Sequence, residues 1–265
     1  MVHETFDGSD DRVLGRGPAL VLVHGSAMDR RGFSSLFQQL TDRFRVIAYN
    51  RRGPPVTREI PGPIGIDVHA QDLARIIEVH AAGPCLIYGS SFGAVVALEL
   101  ARQPEAAKRL SIRGVVLGEP PLPASDEVPP ASEPFFETFR QTYESDPVAA
   151  GRFFMEQVLE PSTLARMAPE VMYMAASKHA EIASDCHDLL RYRVRYGALR
   201  TLHLPVLLLQ GSESLPIYAQ TLSALAAHLP RARREILPAA GHLVHQSPSF
   251  RSALEVFDHE TQPAG

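Results

Sequence analysis

Cys85-Leu86-Ile87-Tyr88 is an apolar run of strand length, Gly89-Ser90-Ser91-Phe92-Gly93 follows it directly, and Ala94-Val95-Val96-Ala97-Leu98-Glu99-Leu100-Ala101 then reads as a helix. A strand that turns sharply into a helix at G-x-S-x-G is the sequence form of a nucleophile elbow. The demand is steric. The turn forces its central residue into a strained backbone conformation, and small neighbours on both flanks let the chain pass closely. The strain lifts the Ser91 hydroxyl clear of the sheet. It also sets the hydroxyl at a helix N-terminus, where a developing anion is favoured.

Working outward, Ala19-Leu20-Val21-Leu22-Val23 is apolar at every position, as suits a strand buried on both faces of a parallel sheet. It ends at His24-Gly25, and a helix pattern follows from Phe33 to Leu40. Arg45 to Tyr49 is the next strand and runs into the turn-like Asn50-Arg51-Arg52-Gly53-Pro54-Pro55. Asp67 reads as the cap of a helix reaching about Val79. Beyond the elbow helix, Gly114 to Gly118, Val206 to Leu209 and Arg234 to Leu237 are further strands. Leu222 to Leu229 is the helix between the last two, and Ser249 to Phe257 closes the chain. Alternating strands and helices imply a mostly parallel sheet with helices on both faces, an α/β fold.

The alternation stops between about Pro121 and Leu204. A Pro-rich acidic loop, Pro121 to Pro134, leads into helix-like patterns at Phe135 to Tyr143, Ala149 to Leu159, Leu164 to Ala176 and His179 to Val194. Residues 121–204 are therefore expected to form a helical cap over the C-terminal edge of the sheet, where open α/β sheets bind ligands. Residues 1–120 and 205–265 form the core domain.

The 265 residues are 45% hydrophobic and 21% charged with a net charge of -4, enough apolar material for a large core. A concentrated basic stripe is missing, which argues against nucleic acid as a partner. With two cysteines, Cys85 and Cys186, a disulfide framework is not expected, and Cys85 reads as a small buried hydrophobe. Met1-Val2-His3-Glu4-Thr5 has neither a basic start nor a long apolar run. Neither a signal peptide nor a membrane span is expected, and a cytoplasmic location fits.

A serine hydroxyl needs a base to take its proton, and the base needs a carboxylate to orient it. In this fold type the order along the chain is serine, acid, histidine. His242 lies just past the last strand, in Pro238-Ala239-Ala240-Gly241-His242, and Gly241 is expected to let that loop approach the elbow. His245 is expected to line the pocket or to start the last helix. Two acids stand at the ends of strands. Glu213, in Gln210-Gly211-Ser212-Glu213-Ser214, occupies the usual turn and is preferred. Glu119, in Gly118-Glu119-Pro120-Pro121, is the alternative. The oxyanion donors are expected to be the main-chain amides of Phe92 and of Ser26, in His24-Gly25-Ser26-Ala27-Met28.

These positions together resemble the α/β-hydrolase superfamily over nearly the whole chain outside the insertion. Tyr49-Asn50-Arg51-Arg52-Gly53 is similar to that family's Asp-x-Arg-Gly turn, with Asn50 where an Asp is common and Pro55 where a Gly is often found. Ser214 stands at the register where the family often carries its Asp. The resemblance implies a Ser-acid-His triad, an acyl-enzyme mechanism, and neither cofactor nor metal.

The expected activity is a serine esterase acting on a small, mostly apolar molecule, with Met28, Phe92, Leu215, Leu243 and His245 at the pocket. Thioester, lactone and carbon–carbon bond hydrolysis would use the same residues. An acyltransferase or cyclase, and a catalytically silent binding member of the fold, are the alternatives. A dehalogenase or epoxide hydrolase is disfavoured, since an Asp nucleophile would stand at position 91. The expected partner is a small molecule, with a homodimer left open and no membrane. Arg191 and Arg195, one helical turn apart, either share a face that meets a substrate carboxylate or form a solvated helix end.

Overall fold

Strands that are apolar on both faces can only be buried by covering both faces, and this dictates the layering. The computed structural model describes residues 11–55, 59–126 and 133–262. The reading of Met1 to Thr5 and the middle of the Pro-rich loop, residues 127–132, lie outside the described residues.

The elements run in chain order. The first part comprises β1 (Arg12–Leu14), β2 (Ala19–Val23), α1 (Ser34–Leu40), β3 (Arg45–Ala48), α2 (Ile66–His80), β4 (Cys85–Ser90), α3 (Phe92–Ala101), α4 (Pro104–Arg109) and β5 (Ile112–Gly118). Six helices follow without a strand among the described residues: α5 (Glu133–Ser145), α6 (Pro147–Val158), α7 (Pro161–Arg166), α8 (Pro169–Ala176), α9 (His179–Arg191) and α10 (Tyr196–Leu199). The sheet then resumes with β6 (Val206–Gly211), α11 (Pro216–His228), β7 (Ala232–Leu237) and α12 (Phe250–Glu260).

The sheet order is β1-β3-β2-β4-β5-β6-β7. The short β1 is antiparallel to β3, and the other neighbours pair in parallel. Because successive strand residues point to opposite faces, Val21, Val23 and Ile87 pack under α2 and α3. Leu20, Leu22, Leu86 and Tyr88 face α1 and α12 instead. The α3 helix is buried at nearly every position, as its unbroken apolar sequence requires.

A third apolar cluster holds the helices between β5 and β6 together. Phe136, Phe139, Tyr143, Phe154, Met155, Ile182 and Cys186 form it, and Ala27 from the loop after β2 joins it. This insertion therefore sits on the loops at the C-terminal ends of the strands.

Several boundaries differ from the sequence reading. The single helix expected over 164–176 is two, α7 and α8. Met167 (φ -77°, ψ 124°) and Ala168 (φ -62°, ψ 143°), the two residues before Pro169, are both extended and separate the helices. Asp67 does not cap α2. Gly65 does, and Asp67 lies in the first turn, where a carboxylate favours the helix dipole. The α9 helix stops at Arg191, and Arg195 is a left-handed residue opening α10, so Arg191 and Arg195 do not share a helical face. The short elements β1 and α4 were not foreseen. Among the described residues no helix is long and apolar enough to cross a membrane, and both cysteines are buried and free.

Candidate active site

The turn between β4 and α3 sets the first candidate side chain. Ser91 has φ 54° and ψ -121°, a region that L-residues adopt only under compulsion. The compulsion is visible. The Ser91 N–H donates to the Gly118 carbonyl at 2.7 Å, and the Ser91 carbonyl accepts from Ala94 N–H at 2.8 Å. A side chain at Gly93 would run into the Val23 carbonyl oxygen, and one at Gly25 would meet Ser91 Cβ at 3.0 Å. Glycine at both positions lets α3 and the loop after β2 close around the serine.

The bond from Ser91 to Gly118 brings the next residue, Glu119, beside the elbow. Glu119 is wholly buried and also has positive φ (46°). Its Oε2 lies 2.9 Å from His242 Nδ1, and its Oε1 accepts the Gly211 N–H at 2.8 Å. An ionised carboxylate can only accept, so His242 carries its proton on Nδ1 and presents a lone pair on Nε2.

His242 is 3% exposed and held from three sides. Glu119 binds its ring. Tyr218 of α11 stacks on the ring at 4.1 Å between centroids and 15° between planes. Glu160 Oε1, at the start of α7, accepts the His242 backbone N–H at 2.8 Å. Gly241 serves a different purpose from the one expected: a side chain there would strike the Glu160 carboxylate, not the elbow.

The acid preferred from sequence is elsewhere. Glu213 is exposed, and its Oε2 takes a 3.4 Å hydrogen bond from Ser162 Oγ on the surface of the insertion. The turn after β6 bends so that its backbone, through Gly211 N–H, meets Glu119, while its one carboxylate points outward. The alternative carboxylate, Glu119, is thus the one on His242.

His245, expected at the pocket, is in the core. It packs edge-on against Phe33 at 5.3 Å, and its Nδ1 is 3.3 Å from Tyr88 Oη, on the side of the sheet facing α12. Burial, the largest cause, pushes its pKa down to about 4. Leu243 packs against the apolar cluster of the insertion. Leu215 is half-buried at the start of α11. Met28 borders a pocket of about 170 Å³ with His24, Ala27, Arg51, Arg52 and Lys178.

Of the two expected oxyanion residues, Phe92 follows Ser91 in the chain, and Ser26 follows Gly25, which abuts Ser91. Phe92 opens α3, with its ring buried between His69 at 5.6 Å and the Arg51 guanidinium at 4.5 Å. The Ser26 hydroxyl donates to Asp185 Oδ2 of α9 at 2.7 Å. Burial, reinforced by the charge of Arg51, pushes the His24 pKa down to about 3.

Sequence reasoning missed Glu160, Tyr218 and Asp185. The one legible sign was Asp185 itself, a carboxylate beside Ile182, Ala183 and Cys186 on the buried face of a helix that also carries Asp188. No cluster of side chains suited to holding a metal ion occurs among the described residues.

A family model described as the alpha/beta hydrolase family matches residues 20–253. The chain is 29% identical over 265 residues to polyketide synthase ThaQ of Burkholderia thailandensis, covering 93% of this chain and only 12% of that protein. It is 26% identical over 264 residues to the pimeloyl-[acyl-carrier protein] methyl ester esterase of Stenotrophomonas maltophilia, covering 95% of this chain and 97% of that one. The structure of an alpha/beta hydrolase from Sphaerobacter thermophilus shares 28% identity with a TM-score of 0.74, covering 95% of each chain.

Proposed function

Because the chain belongs to the alpha/beta hydrolase family, we propose that it hydrolyses an ester-like bond of a small, mostly apolar molecule through an acyl-enzyme on Ser91. The observation that carries this reading is the buried Glu119–His242 pair, with the carbonyl of Gly118, the residue before Glu119, accepting the N–H of Ser91 in its strained elbow. Likeness over the full length of a methyl ester esterase supports the bond type.

Ser91 Oγ attacks the carbonyl carbon as its proton passes to His242 Nε2. The N–H groups of Phe92 and Ser26 hold the oxyanion, and Glu119 stabilises the imidazolium. His242 returns the proton to the leaving alkoxide. It then takes a proton from water, whose oxygen attacks the acyl-enzyme, and the acid departs as Ser91 regains its proton. Residues 121–204 act as a cap, and their aromatic cluster with Leu243 supplies an apolar wall.

The test is a series of p-nitrophenyl esters of increasing acyl length, run on the native protein and on Ser91→Ala. We expect turnover only in the native protein, with single-site labelling of Ser91 by a fluorophosphonate. Turnover surviving in Ser91→Ala would remove the nucleophile. Ester binding without labelling of the native protein would favour a silent binding member of the fold.

One observation favours acyl transfer or cyclisation as a second reading. His242 is 3% exposed, with Glu160 of the insertion on its backbone N–H, and excluding water favours a competing hydroxyl or amine. Likeness to part of a polyketide synthase is compatible with this. Added alcohol that diverts most of the acyl group into a new ester would mark it.

A further inference from the structure

The turn Asn50-Arg51-Arg52-Gly53 carries two adjacent arginines that go separate ways. Arg52, half-buried, pairs with Asp72 of α2 at 2.5 and 2.6 Å. Arg51 turns inward, its side chain 4% exposed, and meets Asp185 of the insertion, whose side chain is 3% exposed. The pair is bidentate, Nη1 to Oδ1 at 3.0 Å and Nη2 to Oδ2 at 2.7 Å.

We propose that Arg51 and Asp185 are positioning residues for the oxyanion-binding amides, and that through them α9 of the insertion governs the rate of acyl transfer. The inference rests on the serine-hydrolase reading above and deepens it.

The geometry carries it. A peptide unit is planar and trans, so its C=O and N–H point in opposite directions. The Gly25 carbonyl belongs to the same peptide unit as the Ser26 N–H. That carbonyl accepts from His24 Nδ1 at 2.9 Å and from Arg51 Nη2 at 3.4 Å. Holding the carbonyl on one side aims the Ser26 N–H to the other. His24 can donate from Nδ1 because its Nε2 accepts the Arg51 backbone N–H at 3.0 Å. Arg51 Nε also donates to the His24 carbonyl at 3.1 Å, which fixes the preceding peptide.

The residue that carries the second amide is touched as well, since the same guanidinium lies over the ring of Phe92. One cation therefore contacts both segments that supply the oxyanion donors. Asp185 holds that cation, and its Oδ2 also accepts from Ser26 Oγ at 2.7 Å. A buried arginine without its partner would swing away or draw in water, and both amides would lose their alignment.

The test must separate alignment from stability. Replacing a buried ion pair by apolar residues is often neutral for folding, so the informative variant is the double one, Arg51→Met with Asp185→Leu. We expect it to melt near the native temperature while kcat falls about 10²-fold, the effect of an ångström of misplacement. KM should stay within about threefold, because substrate and transition state are not equally affected.

A trifluoromethyl ketone analogue, whose adduct on Ser91 mimics the tetrahedral intermediate, should lose affinity by the same factor as kcat/KM. Asp185→Glu, which keeps the charge, should recover part of the rate. A folded double variant with native kcat and native ketone affinity would overturn the proposal and leave the serine reading intact. Activity in Ser91→Ala would instead overturn the serine reading itself. If the double variant does not fold, Arg51→Lys and Asp185→Asn are read by the same ketone measurement: native affinity in both overturns the proposal, and weakened affinity supports it.

Discussion

Glu119 and Glu213 separate by environment, although both follow a strand. Glu119 has no exposed surface and two donors, the Gly211 N–H and the His242 ring. The Glu213 carboxylate has a long hydrogen bond at the surface, from Ser162. Exchanging Glu119 for Gln would place an amide on the imidazole. If that NH₂ faces Nδ1, the proton must move to Nε2 and the base is lost. We expect Glu119→Gln to lower kcat by ~10³–10⁴, as the wrong tautomer does elsewhere. Glu213→Gln should leave kcat within about twofold, as surface changes usually do. Steady-state kinetics on the two variants decides between the carboxylates, and equal losses would mean that neither orients His242. From sequence both stood at strand ends. What separated them was the direction each side chain takes, which depends on how two loops pack and is not written locally.

Elements position the site by meeting at loops far apart along the chain. The α3 helix and the strained serine were legible because the demands there are local: a glycine on each flank, an apolar run before and a helix after. The contribution of α7 was not. Glu160 opens α7, accepts from Thr163 Oγ1 within its own first turn, and reaches across to the His242 N–H. Removing the acceptor leaves a buried N–H unsatisfied, at a cost of about 1–3 kcal/mol. We therefore expect Glu160→Ala to lower thermal stability and kcat together, by roughly tenfold in kcat if the His242 loop shifts by a fraction of an ångström. Glu160→Gln keeps an acceptor oxygen and should restore most of both. Calorimetry beside ester kinetics is the check, and a native-like Glu160→Ala would show that α7 merely covers the loop. The single long helix expected over 164–176 failed for a local reason, the proline at 169, and that break was readable.

At the scale of the whole molecule, burial of three neutral imidazoles makes the fold acid-sensitive. The pKa of His24 lies at about 3, that of His69 at about 2 and that of His245 at about 4, against an ordinary 6.5, with burial the largest cause in each. Folded values below the unfolded one mean that the unfolded chain binds protons first. The stability is complete above pH 6.5 and is lost as the pH falls toward 4. Asp188 acts in the opposite sense. Burial raises its pKa from 3.8 to about 6, so it favours the folded chain on acidification between those values. Three groups against one leave a net uptake of protons on unfolding, so stability falls as the pH drops from 7 through 5.5. Urea unfolding at pH 7 and 5.5 should show the midpoint falling steeply, and a level or rising midpoint would contradict neutral imidazoles in the core. The sequence by itself determined the layered sheet, the elbow at Ser91, the place of His242 in the chain and the helical interruption between two strands, because periodicity and turn chemistry act over a few residues. The tertiary structure alone decided that Glu119 serves His242, that His245 belongs to the core, and that Asp185 and Glu160 of the insertion grip the loops around Ser91. Those facts depend on which buried polar groups find partners across the fold, and desolvation leaves a buried charge no choice but to find one.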